Sequence, residues 1–365
     1  MHMRISYMFA ALLIASGVVF SGGCTRTYML EMSDADICFG AGVIALDEGT
    51  KGVLDANLIE STTFTNPSTI AVSAWHKNGA EQIFDNQAVS YDGTDWSYTP
   101  KKKWHWAEAT DYYDFLAVAV RDKISIDQPT PSGKVRPVSS VSDNVLSLSV
   151  PYDATSAQYD LLMAGTRRRA RNNADPSYDP SETVQLTFRH ALCAVKVKFI
   201  KDAGSADFSV NSFAFKDLLV SGTVSAAMTG TPAYFTFSLS GESRDKSASG
   251  RLGADWDPAK SSGTDFTAGV YDPGFYDLLL PQDLDPSGDS PELIVKVTDG
   301  ASTQRTYNLT LKDIPVKNST ECITRWEPGR KYVYEIHVLY GGGVQVNVTT
   351  TPWETVYAHT PGLII

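Results

Sequence analysis

Apolar and polar positions alternate in short runs along most of this chain. Val184, Leu186 and Phe188 are apolar, and Gln185 and Thr187 between them are polar. A period of two marks a half-buried strand. Past Arg189 and His190 the apolar positions become Ala191, Cys193, Val195, Val197 and Phe199, with Lys196 and Lys198 opposite. The parity has flipped from even to odd. A one-residue shift turns every side chain to the other face, so the spacing predicts a bulge or break at residues 189–191. The same alternation marks residues 145–150 (VLSLSV), 208–215 (FSVNSFAF), 234–239 (YFTFSL) and 332–338 (YVYEIHV). Residues 36–46, 70–75, 161–164, 218–224 and 344–348 are further strand candidates. Residues 115–120 (FLAVAV) are nearly all apolar and read as a central strand. Asp299-Gly300 lies between the candidate strands 293–297 and 306–311 and predicts a hairpin turn.

No long stretch of helical periodicity follows the N-terminus. Tyr, Thr, Ser, Val and Gly are plentiful and turn signals recur, which predicts an all-β chain of sandwiches or barrels. At 365 residues, two domains are expected rather than one core. The expected division follows residues 160–165 (DLLMAG), giving domains at 24–170 and 171–365. A basic run, Arg167-Arg168-Arg169-Ala170-Arg171, opens the crossing. It reads as a solvated interdomain loop, a protease site or an anion site, since cleavage concentrates in exposed linkers. The net charge of −11 argues against nucleic acid as a partner and against electrostatic docking on anionic lipid.

Residues 1–23 read as a targeting segment. Arg4 is the basic start, residues 8–20 (MFAALLIASGVVF) are the apolar core, and Ser21-Gly22-Gly23 precede Cys24. Small residues directly before a cysteine resemble a bacterial lipobox, which implies Cys24 as the lipidated first residue of the mature chain. The apolar run is short for a membrane span. An acyl chain anchors by burying methylenes at about 0.8 kcal/mol each. The expected location is the outer membrane and cell surface.

Candidate chemistry is sparse. Six histidines are scattered, and no HExxH, GxSxG or P-loop is present. No enzyme, cofactor or metal site is expected. The loop from Asp285 to Asp289 could hold Ca2+, but such a loop is usually just a turn. Cys38, Cys193 and Cys322 lie in no CxxC motif. They read as small buried hydrophobes, with one disulfide open in an oxidising compartment. Trp96, Tyr98, Trp104 and Trp106 form an aromatic cluster, with Trp104 and Trp106 on one face and His105 opposite. The cluster either packs into the core or offers a glycan platform.

The lipobox, DLLMAG at 160–165, FRHAL at 188–192, LLLPQ at 278–282 and WEPGRKYVYEI at 326–336 together resemble the fimbrillin family of Bacteroidota lipoprotein pilins and minor fimbrial subunits. That resemblance implies two tandem transthyretin-like β-sandwich domains after a lipoprotein signal peptide. It also implies proteolytic removal of an N-terminal strand and its replacement by a strand of the next subunit. Here the strand to be lost is at residues 36–46. The processing candidate is Lys51, where family members often carry Arg. The donor candidate is near 344–357, with Val344, Val346 and Val348 as apolar plugs at period two. An ordinary last strand paired within its own domain reads equally well. The implied partners are other fimbrial subunits, with host or bacterial surfaces as adhesion targets. The alternative is a monomeric surface lipoprotein that binds glycan or host protein through Trp96, Trp104 and Trp106.

Overall fold

The computed structural model describes residues 35–43, 68–77, 79–92, 95–121, 137–155, 159–175, 177–201, 208–229, 234–245, 270–271, 276–286, 290–299, 303–339 and 343–353. In chain order the strands are β1 (Phe39–Val43), β2 (Ser68–His76), β3 (Glu81–Tyr91), β4 (Trp96–Ser97), β5 (Tyr112–Arg121), β6 (Val138–Ser142), β7 (Val145–Asp153), β8 (Asp160–Arg169), β9 (Val184–His190), β10 (Cys193–Lys201), β11 (Phe208–Lys216), β12 (Leu218–Thr229), β13 (Tyr234–Asp245), β14 (Val270–Tyr271), β15 (Asp277–Leu279), β16 (Gln282–Asp283), β17 (Glu292–Asp299), β18 (Gln304–Thr310), β19 (Arg325–Trp326), β20 (Arg330–Val338) and β21 (Val344–Pro352). Among the described residues the one helical element is a 3-10 turn, Leu311–Asp313. The protein is all-β, as the alternation predicts.

The first sheet runs β1-β9-β8-β5-β2-β3-β4. Its centre is β5, and both faces of that strand are covered. Tyr113, Phe115, Ala117 and Ala119 enter one core, and Leu116 and Val118 enter the other. Double burial is why the run FLAVAV shows no alternation. The second sheet, β13-β12-β7-β6, lies over the Leu116 and Val118 face. Its β6–β7 hairpin turns at Asp143 and Asn144, with φ of 52° and 62°. Such left-handed residues match the twist of a two-residue hairpin, and Asp and Asn tolerate them.

The predicted break is where the chain changes sheets. β9 ends at His190 in the first sheet, and β10 begins at Cys193 in a third one, between β14 and β15 on one side and β20 on the other. The parity flip is therefore a crossing between sheets. β17 and β18 pair antiparallel across Asp299-Gly300, as the hairpin signal predicts, and β11 completes their sheet. In the turn at residues 326–330, Gly329 adopts φ of 70°. Its N–H donates to the Leu192 carbonyl at 2.8 Å, tying this turn to the crossing.

Among the described residues three pairings cross residue 170. β9 pairs with β1 and with β8, and β7 pairs with β12 over residues 147–153 and 221–227. Leu148, Val150, Leu161 and Met163 share one continuous core with Val195, Leu219, Val295, Tyr334 and Ile336. The basic run is no free linker either. Arg167, Arg168 and Arg169 are the last residues of β8. Arg167 makes a two-pronged ion pair with the buried Asp114, Nη2 to Oδ2 being 2.7 Å. Arg168 donates to the Asp179 carbonyl at 2.6 Å and lies over the Tyr178 ring. A charge run that reads as a solvated loop is here the end of a paired strand.

Candidate functional site

The first strand is an edge strand, and Phe39, with Ile37 just before it, enters the core. Two segments hold it through the backbone. The Ile37 N–H donates to the Lys102 carbonyl at 2.8 Å, and the Trp104 N–H donates to the Ala35 carbonyl at 3.0 Å. Asp36 and Lys103 form an antiparallel bridge there. On the other side β1 runs parallel to β9, with Phe39 opposite Val184 and Val43 opposite Phe188. The Val184 N–H donates to the Cys38 carbonyl at 2.8 Å. The Tyr98 hydroxyl donates to the Ile37 carbonyl, also at 2.8 Å. Burial pushes the Tyr98 phenol up to about 12.

Ile37 and Phe39 are buried in the core on the outer face of the first sheet. Phe39 meets Phe84, Tyr98 and Phe115 edge-on, at centroid distances of 5.7, 5.6 and 6.0 Å. Each buried side chain of this size contributes about 1.5–3 kcal/mol relative to exposure. Without this strand, the core would open beside the unpaired edge of β9. Both defects together are what an incoming strand repairs. Lys51, the processing candidate, and Cys24, the lipidation candidate, lie outside the described residues, as do residues 44–67.

The last strand sits in its own sheet. β21 pairs antiparallel with β20 from Val344 opposite Val338 to Pro352 opposite Arg330. Val346 and Val348 are buried, and Val344 is half-buried against the same core. The period-two row is thus present, and it plugs this chain's own core. Residues 315–317 close part of its outer edge. The Val348 N–H donates to the Pro315 carbonyl at 3.0 Å, and the Lys317 N–H donates to the Val348 carbonyl at 2.9 Å. At the far end Trp353 stacks on His190, with ring centroids 3.9 Å apart. His190 Nδ1 lies 2.8 Å from Asp160 Oδ1, both side chains being buried. Sequence pattern gave no sign of this pair, because residues 160, 190 and 353 meet only through the fold.

The aromatic cluster does not form a glycan platform. Trp104 is 0% exposed and Trp106 is 7% exposed. Their rings stack on each other at 5.0 Å and meet Tyr113 edge-on at 5.2 and 4.9 Å. Only Trp96 is half-buried, tilted against Tyr91. A sugar in solvent cannot stack on rings already covered on both faces. The expected alternation is real, but the shared face of Trp104 and Trp106 points inward, and His105 points out.

The three described cysteines are free thiols. Cys193 is buried, and its thiol donates to the Leu279 carbonyl at 3.3 Å. Burial pushes that thiol well above its usual range. Cys38 and Cys322 are exposed, contrary to the expectation that all three are buried. Asp285 pairs with the Lys312 ammonium at 2.6 Å.

Comparison with known proteins adds the family. No curated protein sequence matches the chain. Among solved structures, a fimbrial protein from Bacteroides vulgatus is 13% identical, with a TM-score of 0.47 over 88% of this chain and 100% of its own. A fimbrilin from Porphyromonas gingivalis is 12% identical, with a TM-score of 0.43 over 87% of this chain and 99% of its own. A fimbrial anchor protein from the same organism is 11% identical, with a TM-score of 0.31 over 88% of this chain and 99% of its own. The profile of the fimbrillin-like family matches residues 57–353, most of the chain, and the protein therefore belongs to the fimbrillin-like family.

Proposed function

We propose that this chain is a structural and adhesive subunit of cell-surface fimbriae. In this reading it is exported as a lipoprotein acylated at Cys24, held at the outer membrane, and assembled with other fimbrial subunits by exchange of β-strands. It performs no catalysis. Family membership supports the fimbrial role. The observation that carries the assembly step is the seating of β1, an edge strand whose Phe39, with Ile37 just before it, packs into the buried core on the outer face of the first sheet. Cleavage in the polar stretch containing Lys51 would release it. A strand bearing the Val344, Val346 and Val348 row would take its place in the next subunit. Head-to-tail contacts of this kind need not close on themselves, and they build filaments.

The reading is tested at the cell surface. Mass spectrometry would give the N-terminus of the recovered protein, and an unheated denaturing gel would give its assembly state. A chain that starts near Gly52 and runs as a heat-sensitive ladder is the expected result. A chain that keeps acylated Cys24 and runs as one band would overturn release of β1.

A further inference from the structure

The end of β8 meets β2 and β5 on one face of the first sheet and gathers cations there. Trp75, Asp114 and Arg167 lie opposite one another on β2, β5 and β8. One step further out, the Lys77 N–H donates to the Tyr112 carbonyl at 3.1 Å, and Tyr112 lies opposite Arg169. Residues directly opposite, and residues two apart along a strand, share a face. The six side chains therefore form two rows on the face that carries Leu116 and Val118, past the end of that core. Lys77 and Arg169 are exposed, Tyr112 and Trp75 are half-buried, and Asp114 is buried. The Arg167 guanidinium lies 3.8 Å from the centre of the Tyr112 ring, and the Lys77 ammonium lies 4.8 Å from it.

Three cations thus share the patch with one carboxylate. Asp114 is taken up by Arg167. Burial raises its carboxyl, and Arg167, Arg169 and Lys77 each pull it down. Two positive charges are left over, because neither Lys77 nor Arg169 has an ion pair of its own among the described residues. We propose that Lys77, Tyr112 and Arg169 form a binding site for an acidic polysaccharide with widely spaced carboxylates. The site lies on one subunit and needs no strand exchange. β2, β5 and β8 are interior strands, so their backbone groups pair with one another and offer no edge for a peptide to extend. Recognition falls to side chains. Lys77 and Arg169 stand on strands two spacings apart, about 10 Å, and a chain with a carboxylate at that interval meets both. The Arg169 guanidinium takes a carboxylate through two parallel N–H donors. One exposed ion pair holds little, and a polymer gains by presenting several charges at once. The net charge of −11 repels a dense polyanion such as nucleic acid. Screening over about 8 Å at physiological salt leaves the local cations in control of a sparse one.

The test measures binding of hyaluronate, which carries one carboxylate on every second sugar, to the full chain by biolayer interferometry at physiological salt. Saturable binding is expected, weakened about tenfold or more in the double variant Lys77→Gln, Arg169→Gln, which loses two charge-assisted contacts. Lys296→Gln, at an exposed lysine on β17, is expected to bind as the parent does. Each variant should keep the parent's melting temperature, because the replaced side chains are exposed. No saturable binding by the parent, or undiminished binding by the double variant, would overturn the site. Poly-glutamate or dextran sulfate bound as tightly as hyaluronate would show that charge alone decides, and would overturn the assignment to a sparsely charged glycan. Subunit assembly is not part of this readout, so the site and the strand-exchange reading stand or fall separately.

Discussion

Trp104→Ala is expected to lower the unfolding free energy by about 3–5 kcal/mol, the cost of deleting a large aromatic from a packed core. The indole is fully buried. It stacks on Trp106 and meets Tyr113 and Phe115 edge-on at 5.2 and 5.9 Å. Neighbouring rings held at these distances cannot collapse into the space it would leave. A domain's whole stability is only about 5–15 kcal/mol, so this one change threatens the fold. Trp104→Phe is expected to cost far less, because the Trp104 indole N–H has no hydrogen-bond partner to lose. Urea denaturation of the three proteins measures both effects. A loss below about 1 kcal/mol for the alanine variant would mean the ring is not part of a packed core. In that case the solvent-facing platform, together with the glycan-binding alternative, would regain its ground.

Arg167→Ala is expected to cost a similar amount, about 3–5 kcal/mol at pH 7, because it strands a buried charge. Asp114 is fully buried, and its two carboxylate oxygens accept from the guanidinium. Burial raises its carboxyl above the ordinary 3.8, and the hydrogen bond and charge of Arg167 pull it back down. Removing Arg167 leaves burial less opposed, so the carboxyl rises further. A group with a raised folded-state pKa favours folding at low pH and loses that contribution as pH rises through the folded value. The gap between variant and parent should therefore be full at pH 7 and narrow as pH falls toward 3.8. The double variant Arg167→Met, Asp114→Leu should recover much of the loss, because no charge is left unpaired. Chemical denaturation across that pH range checks the sign. A gap that widens on acidification would contradict the stranded-charge account.

Local pattern made much of the fold legible. The double-sided apolar run at 115–120, the parity flip at 189–191 and the Asp299-Gly300 hairpin each correspond to a described feature: a central strand, a change of sheet and the β17–β18 pair. Each depends on residues close in sequence, where side-chain period and turn geometry operate directly. What could not be read depends on distant partners. Alternation put Trp104 and Trp106 on one face, but only the β1 segment and Tyr113 decide that this face is inward. The arginines of β8 read as a solvated run because Asp114, which neutralises one of them, lies on β5. At the proposed exchange site, the row of valines was legible from its period of two. The seat of Phe39 was not, since the strands around it are brought together only by the folded sheet.

The pairing of β7 with β12 also has a thermodynamic consequence. Tandem domains with separate cores can melt one at a time. Here strands from before and after residue 170 share a ladder and one apolar interior. Neither half can lose its packing and leave the other's intact, so heat should be taken up in one cooperative transition, its calorimetric and van't Hoff enthalpies equal. A subunit built this way is expected to offer a protease no half-melted domain, and its weak points are expected at the sheet edges.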